Sequence, residues 1–209
     1  MADGFARPAV FLDRDGTIVE DPGPGFLHEP GHVRLFPGAG EAIRRLGEAG
    51  FLVVAVTNQS GIARGLYTAA DYEAVQRRLV ELLATHGARL DASYFCPHHP
   101  QFTGPCDCRK PGTKLFLDAQ RELGIDFARS WWVGDRLSDV QPARLLGSGG
   151  GAPGGRGRAG RRGGGGSRGS RAILVATGEG NLHQGQARAL GVTVVADLSA
   201  AVVEILRLA

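Results

Sequence analysis

Three short apolar runs, each stopped by a polar residue, limit what this chain can fold into. Residues 9–13 read AVFLD, residues 51–57 read FLVVAVT, and residues 131–135 read WWVGD. Each reads as a buried strand, and the continuously apolar middle run suits a strand covered on both faces. Helical spacing lies between them. Residues 41–48 place Ala42, Ile43, Leu46 and Ala49 on one face before Gly50, a stop signal. Thr68 can cap a helix running to about residue 86, with Val75, Leu79, Leu82 and Leu83 apolar. A helix over 113–123 should end at Gly124, and another should begin near Ser138. Shorter strands are expected at 92–95, 172–176 and 192–195, with a closing helix at 200–206; residues 14–37 and 58–65 read as loops.

Strands alternating with helices predict an α/β domain over 1–209, a doubly wound, mostly parallel sheet with helices on both faces. Ligands of such sheets collect at the carboxyl ends of the strands. Asp13, Thr57 and Asp135 all fall there, a coincidence more telling than any one motif.

Residues 148–171 break the alternation. Of these 24 residues 12 are glycine, six are arginine and none is acidic, so little can be buried to offset ordering. The segment reads as a flexible insertion. It also supplies the basic balance: the net charge of +3 becomes −3 without it. The body of the chain therefore shows no bias toward nucleic acid. No apolar run approaches the ~20 residues needed to cross a bilayer, and the first residues, MADGFARPAV, lack the apolar stretch of a signal peptide. A cytoplasmic monomer with no membrane partner is expected.

All three cysteines lie in one stretch. Cys96-x-His98 and Cys106-x-Cys108 form two ligand pairs, and Arg109-Lys110 follows at once. Cysteines confined to one loop argue for metal in a reducing compartment rather than for disulfides. Zinc favours four tetrahedral sulfur or nitrogen ligands, and a closed set leaves no position for water. The zinc loop at 96–110 is thus expected to be structural, presenting Arg109 and Lys110; His99 is a weaker rival to His98.

The second cluster is Asp13-Arg14-Asp15-Gly16-Thr17. Residues i and i+2 of an extended segment point the same way, so Asp13 and Asp15 can share a pocket. Paired carboxylates suit phosphoryl transfer, one attacking phosphorus and the other exchanging protons with the leaving alkoxide and water. Two anions repel a phosphate ester, so a divalent ion is required, and magnesium takes oxygen ligands. Asp135 is the natural contributor from another strand, with Asp139 supporting from behind. Thr57 and the polar turn Asn58-Gln59-Ser60 can bind phosphoryl oxygens. Lys110 can neutralise them, and Arg109 can grip a second anionic group.

These residues resemble the haloacid dehalogenase superfamily of aspartyl-phosphate phosphatases. FLDRDGTI (11–18) is similar to its first motif, Thr57 to the second, Lys110 to the third, and Gly134-Asp135 with Asp139 to the fourth. The resemblance spans nearly all of the chain outside the insertion. Within it, TNQSGIARG (57–65) and CPHHP…CDCRKP (96–111) resemble the heptose bisphosphate phosphatases. The resemblance implies a sugar bisphosphate substrate that loses its 7-phosphate, a step toward nucleotide-activated heptose, and a fold without a large cap domain. It makes Asp13 the nucleophile and Asp15 the acid/base. Asp13, the Asp15 carbonyl and Asp135 become magnesium ligands, and Thr57 and Lys110 phosphoryl stabilisers. Substrate contacts fall to Asp21 in the 21–28 loop, to Asn58, Gln59, Ser60, Arg109 and Lys110, and to Arg136, where the family often has lysine. Histidinol-phosphate phosphatases carry a similar zinc loop, but SGIARG favours the heptose enzymes. Polynucleotide 3′-phosphatases share the TNQ segment without the tetrad. A nucleic-acid-binding protein with a vestigial phosphatase fold is the reading from another class, and the complete set of carboxylates argues against it.

Overall fold

The computed structural model describes residues 6–21, 26–147 and 171–209. The insertion lies outside the described residues except for Arg171, as do residues 22–25 of the expected substrate loop. Strands β1 (Ala9–Leu12), β2 (Leu52–Asn58), β3 (Ala92–Cys96), β4 (Trp131–Gly134), β5 (Ala172–Val175) and β6 (Thr193–Val195) form one sheet. The order is β3-β2-β1-β4-β5-β6, and every pairing is parallel.

The helices are α1 (Ala39–Glu48), α2 (Ser60–Ala63), α3 (Ala69–Ala84), α4 (Pro100–Thr103), α5 (Lys114–Leu123), α6 (Leu137–Val140), α7 (Pro142–Leu146), α8 (Gly180–Ala189) and α9 (Leu198–Leu208). Thr68 caps α3 in a reciprocal box with Asp71, and Gly124 closes α5 in the left-handed conformation, as their residue types require.

Why the strands are apolar throughout is plain from the two cores. Val10 and Leu12 point to one face, against Ile43 and Leu46 of α1, Leu79 of α3 and Ile205 of α9. Ala9 and Phe11 point to the other, with Phe116 of α5, Trp132 of β4 and Leu174 of β5. Phe11 meets Phe116 edge to face at 5.1 Å and stacks on Trp132 at 5.3 Å. Each fully buried side chain of this size contributes about 1.5–3 kcal/mol.

The expected boundaries shift by a few residues. Three expectations need correction. The stretch 58–65 is not all loop: α2 forms within it, and the cysteine loop contains α4. Helix α8 was not anticipated, because only Gly180 and Ala187 of it are buried and its apolar periodicity is weak. Nor is 14–37 wholly irregular: bridges join Asp15 to Val19 and Val19 to Leu35. Among the described residues no separate cap domain forms.

Because the strands are parallel, Asp13, Thr57 and Asp135 share the carboxyl edge. Arg171 precedes β5 at the opposite edge, and its guanidinium lies 5.3 Å over the ring of Trp131, the first residue of β4.

Candidate active site

The central strand β1 ends beside both β2 and β4, where the strand order reverses. Asp13 follows it, its N–H donating to the Val133 carbonyl at 3.0 Å, so the sheet itself fixes the start of the carboxylate. Asp135 follows β4 in the same way. Asp139 comes from α6, whose capping box donates the Arg136 N–H to its Oδ2 at 2.8 Å. One carboxylate oxygen from each of Asp13, Asp135 and Asp139 can lie within 4.8 Å of the others, and all three residues are buried. Asp139, expected behind the ligands, is thus a full member of the cluster. The Asp15 side chain is not among these three; only its backbone carbonyl was expected there.

Lys110 enters from the cysteine loop. Its Nζ sits 2.7 Å from Asp13 Oδ1 and 2.8 Å from Asp139 Oδ1, and donates to the Val56 carbonyl at 2.6 Å. Burial pulls the ammonium pKa down, yet the two carboxylates outweigh this and hold it above its ordinary value. The carboxylates themselves are lifted. Burial raises Asp13 to about 6, with Lys110 opposing and Asp139 and Asp15 adding to the rise. Burial, then the charges of Asp13 and Asp139, raise Asp135 to about 8 against an N–H bond from Glu179. Three buried acids with one shared lysine form an under-neutralised pocket, which is the donor set and the field that a hard divalent cation satisfies. Gly16 makes room: at φ +82° it turns the chain, and a Cβ there would lie 2.5 Å from Asp135 Oδ2.

A cleft of about 450 Å³ opens above. Asp13, Asp15, Asp21, Thr57, Asn58, Gln59, Ser60, Arg109, Lys110 and Arg136 all line it, so the structure gathers every expected substrate contact. Several are already engaged within the chain. Asn58 donates from Nδ2 to the Lys110 carbonyl at 3.2 Å and accepts the Lys110 N–H at 3.0 Å. It therefore locks the end of β2 to the lysine. Gln59 bonds to three side chains of this chain. Arg136 pairs with Glu179 at 2.7 Å on the rim. Arg64, Ser138 and Glu179 also line the cleft and were not anticipated. Arg64 stood in the SGIARG segment, where its charge near a phosphate turn was the available clue.

The cysteine clamp is built locally. Cys96 Sγ lies 3.1 Å from Cys108 Sγ and 3.7 Å from Cys106 Sγ, and His98 Nδ1 lies 3.2 Å from Cys108 Sγ. Tetrahedral ligands about 2.0–2.3 Å from one ion are separated by about 3.3–3.8 Å, so this set fits a zinc-sized ion. His98 is in the cluster, whereas His99 turns outward, its Nε2 3.1 Å from Arg64 Nη2. Cys96 ends β3, and its carbonyl accepts the Gln59 N–H at 2.8 Å, so clamp and phosphate turn share a seam.

Fold and site together define a class: hydrolases of the haloacid dehalogenase type, with an aspartate at the end of the central strand. The HAD-hyrolase-like family model matches residues 107–150. A Yersinia pestis protein named D-glycero-beta-D-manno-heptose-1,7-bisphosphate 7-phosphatase is 46% identical over 141 residues, 65% of this chain and 74% of the relative. One of the same name from Rhodopseudomonas palustris is 41% identical over 146 residues, 68% of this chain and 80% of the relative. The crystal structure of D,D-heptose 1,7-bisphosphate phosphatase from B. bronchiseptica, complexed with magnesium and phosphate, is 33% identical with a TM-score of 0.78, covering 97% of this chain and 99% of that one. This chain belongs to the D-glycero-D-manno-heptose-1,7-bisphosphate 7-phosphatase family.

Proposed function

We propose that the chain removes the 7-phosphate of D-glycero-D-manno-heptose 1,7-bisphosphate through an aspartyl-phosphate. The observation that carries this is a contrast in burial among the residues lining the cleft: Asp13, Asp139 and Lys110 are buried, whereas Arg109 is half-buried and Arg64 exposed. One phosphate reacts at the buried residues, and a second anionic group is held by the arginines.

Asp13 attacks phosphorus, and the sugar oxygen leaves with a proton from Asp15. Water then attacks the phosphorus of the aspartyl-phosphate as Asp15 takes back a proton, releasing inorganic phosphate and restoring Asp13. Lys110 and Thr57 hold the phosphoryl oxygens. Asp13, Asp135 and the Asp15 carbonyl would hold magnesium, with Asp139 beside them; when bound, the ion offsets the charge that accumulates on the phosphoryl group. Cys96, His98, Cys106 and Cys108 would hold zinc, which fixes the loop bearing Arg109 and Lys110.

A phosphate-release panel tests the substrate: both heptose bisphosphate anomers, histidinol phosphate and fructose 1,6-bisphosphate. The expected result is the highest kcat/KM for a heptose bisphosphate. A higher value for histidinol phosphate would overturn the assignment in favour of the rival with the similar cysteine loop.

A further inference from the structure

Gln59 is 2% exposed, and both ends of its amide are engaged. Nε2 donates to Asp15 Oδ2 at 2.7 Å and to Thr57 Oγ1 at 2.8 Å. Oε1 accepts the Tyr67 hydroxyl at 2.6 Å. This orientation is forced by chemistry. Arg14 donates to both Asp15 oxygens, so the carboxyl accepts here and the amide nitrogen faces it; the oxygen then faces Tyr67, which donates. Tyr67 is itself held. Burial pushes its phenol pKa up, keeping the proton on the oxygen, and the His28 ring stacks on it at 5.8 Å. Gly61 lies beneath, where any Cβ would overlap the phenol ring. Across the carboxylate, buried Arg14 donates from Nε to Oδ1 at 3.0 Å and from Nη2 to Oδ2 at 2.9 Å, with its guanidinium 5.0 Å over the Tyr72 ring.

We infer that Gln59, oriented by Tyr67, is a positioning residue that holds the Asp15 carboxyl and the Thr57 hydroxyl at the cleft, rather than a substrate contact. The inference rests on the phosphatase reading above, because it deepens the role of Asp15. With its nitrogen donating twice and its oxygen accepting, Gln59 has little left for a sugar, although it lines the cleft. Arg14 bonds both carboxyl oxygens and Gln59 adds a second bond to Oδ2, which fixes the carboxyl and leaves Oδ1 the less engaged oxygen through which to pass a proton.

The test uses leaving groups. An alkyl phosphate such as glycerol 3-phosphate needs its oxygen protonated on departure, whereas 4-nitrophenolate leaves readily as an anion. Loss of Thr57 alignment should slow both esters alike; loss of Asp15 alignment should slow mainly the alkyl one. In Gln59→Leu, and in Gln59→Glu, which keeps the shape but exchanges the donor for an acceptor, the ratio of aryl to alkyl kcat/KM should rise by about 10-fold or more. Tyr67→Phe should move it the same way by less. An unchanged ratio with a raised KM for heptose bisphosphate would make Gln59 a substrate contact and overturn the inference. A crystal structure of Gln59→Leu with Asp15 and Thr57 undisplaced would overturn it without any assay. If the wild-type chain releases phosphate from none of these esters, the phosphatase reading falls instead, and that crystal structure still decides the inference.

Discussion

The two metal-capable clusters are built on opposite plans. The carboxylates come from the ends of β1 and β4 and from α6, with Asp13 far in sequence from Asp135 and Asp139, and are buried and crosslinked by Lys110 and backbone N–H groups. The thiols come from one stretch, Cys96 to Cys108, and two of the three are only partly buried. The sheet would hold its oxygen atoms together without an ion. In the loop only Cys96 sits on a strand, while Cys106 and Cys108 lie outside any helix or strand. A preformed site binds metal; a loop site is formed by it.

Four experiments probe that contrast, in decreasing order of expected effect. Asp13→Asn should lower kcat by about 10⁴-fold or more while zinc content stays at wild type; near wild-type turnover in a steady-state assay would remove the nucleophile assignment. Lys110→Ala should cost about 10²–10³-fold in kcat, as loss of a preorganised oxyanion partner does, and should leave Asp13 and Asp139 unpaired. Cys108→Ala should lose zinc by elemental analysis and lower kcat/KM by about 10–100-fold through Arg109 and Lys110. Wild-type protein purified without zinc yet fully active would end the claim that the loop depends on metal.

The smallest effect concerns pH. The folded Asp13 and Asp135 carboxyls bind protons more tightly than the unfolded ones, with values of about 6 and 8 against 3.8. Without magnesium their contribution to stability is therefore full below about pH 4 and is lost as pH rises through about 6 and then 8. Magnesium needs both groups deprotonated, so its stabilising effect grows over the same window. Thermal melts should show a larger magnesium-induced rise in Tm at pH 8.5 than at pH 6, by several degrees on the scale of about 2–4 °C per kcal/mol. Equal shifts would show that the carboxylates are already ionised in the metal-free protein.

Much of this was legible in the residues because the physics was local. AVFL, LVVAVT and WWVG are buried throughout, as short apolar runs covered on both faces of a sheet are. The placement of Asp13 and Asp135 at strand ends follows from the same runs. What sequence could not give was pairing at long range. Asn58 looked like a phosphate-turn residue, but its amide is committed to a backbone 52 positions away. Gln59 lines the cleft as expected, and its amide also reaches Asp15, 44 positions away. Asp139 sat four residues past Asp135, and only the tight turn into α6 brings both carboxylates to one point.

Arg171 joins the sheet at the amino edge, behind the strands whose far tips carry the chemistry. Sequence added or lost between Gly147 and Arg171 enters and leaves the fold on the quiet side of the molecule. A change of length or charge in that connection would begin and end away from Asp13.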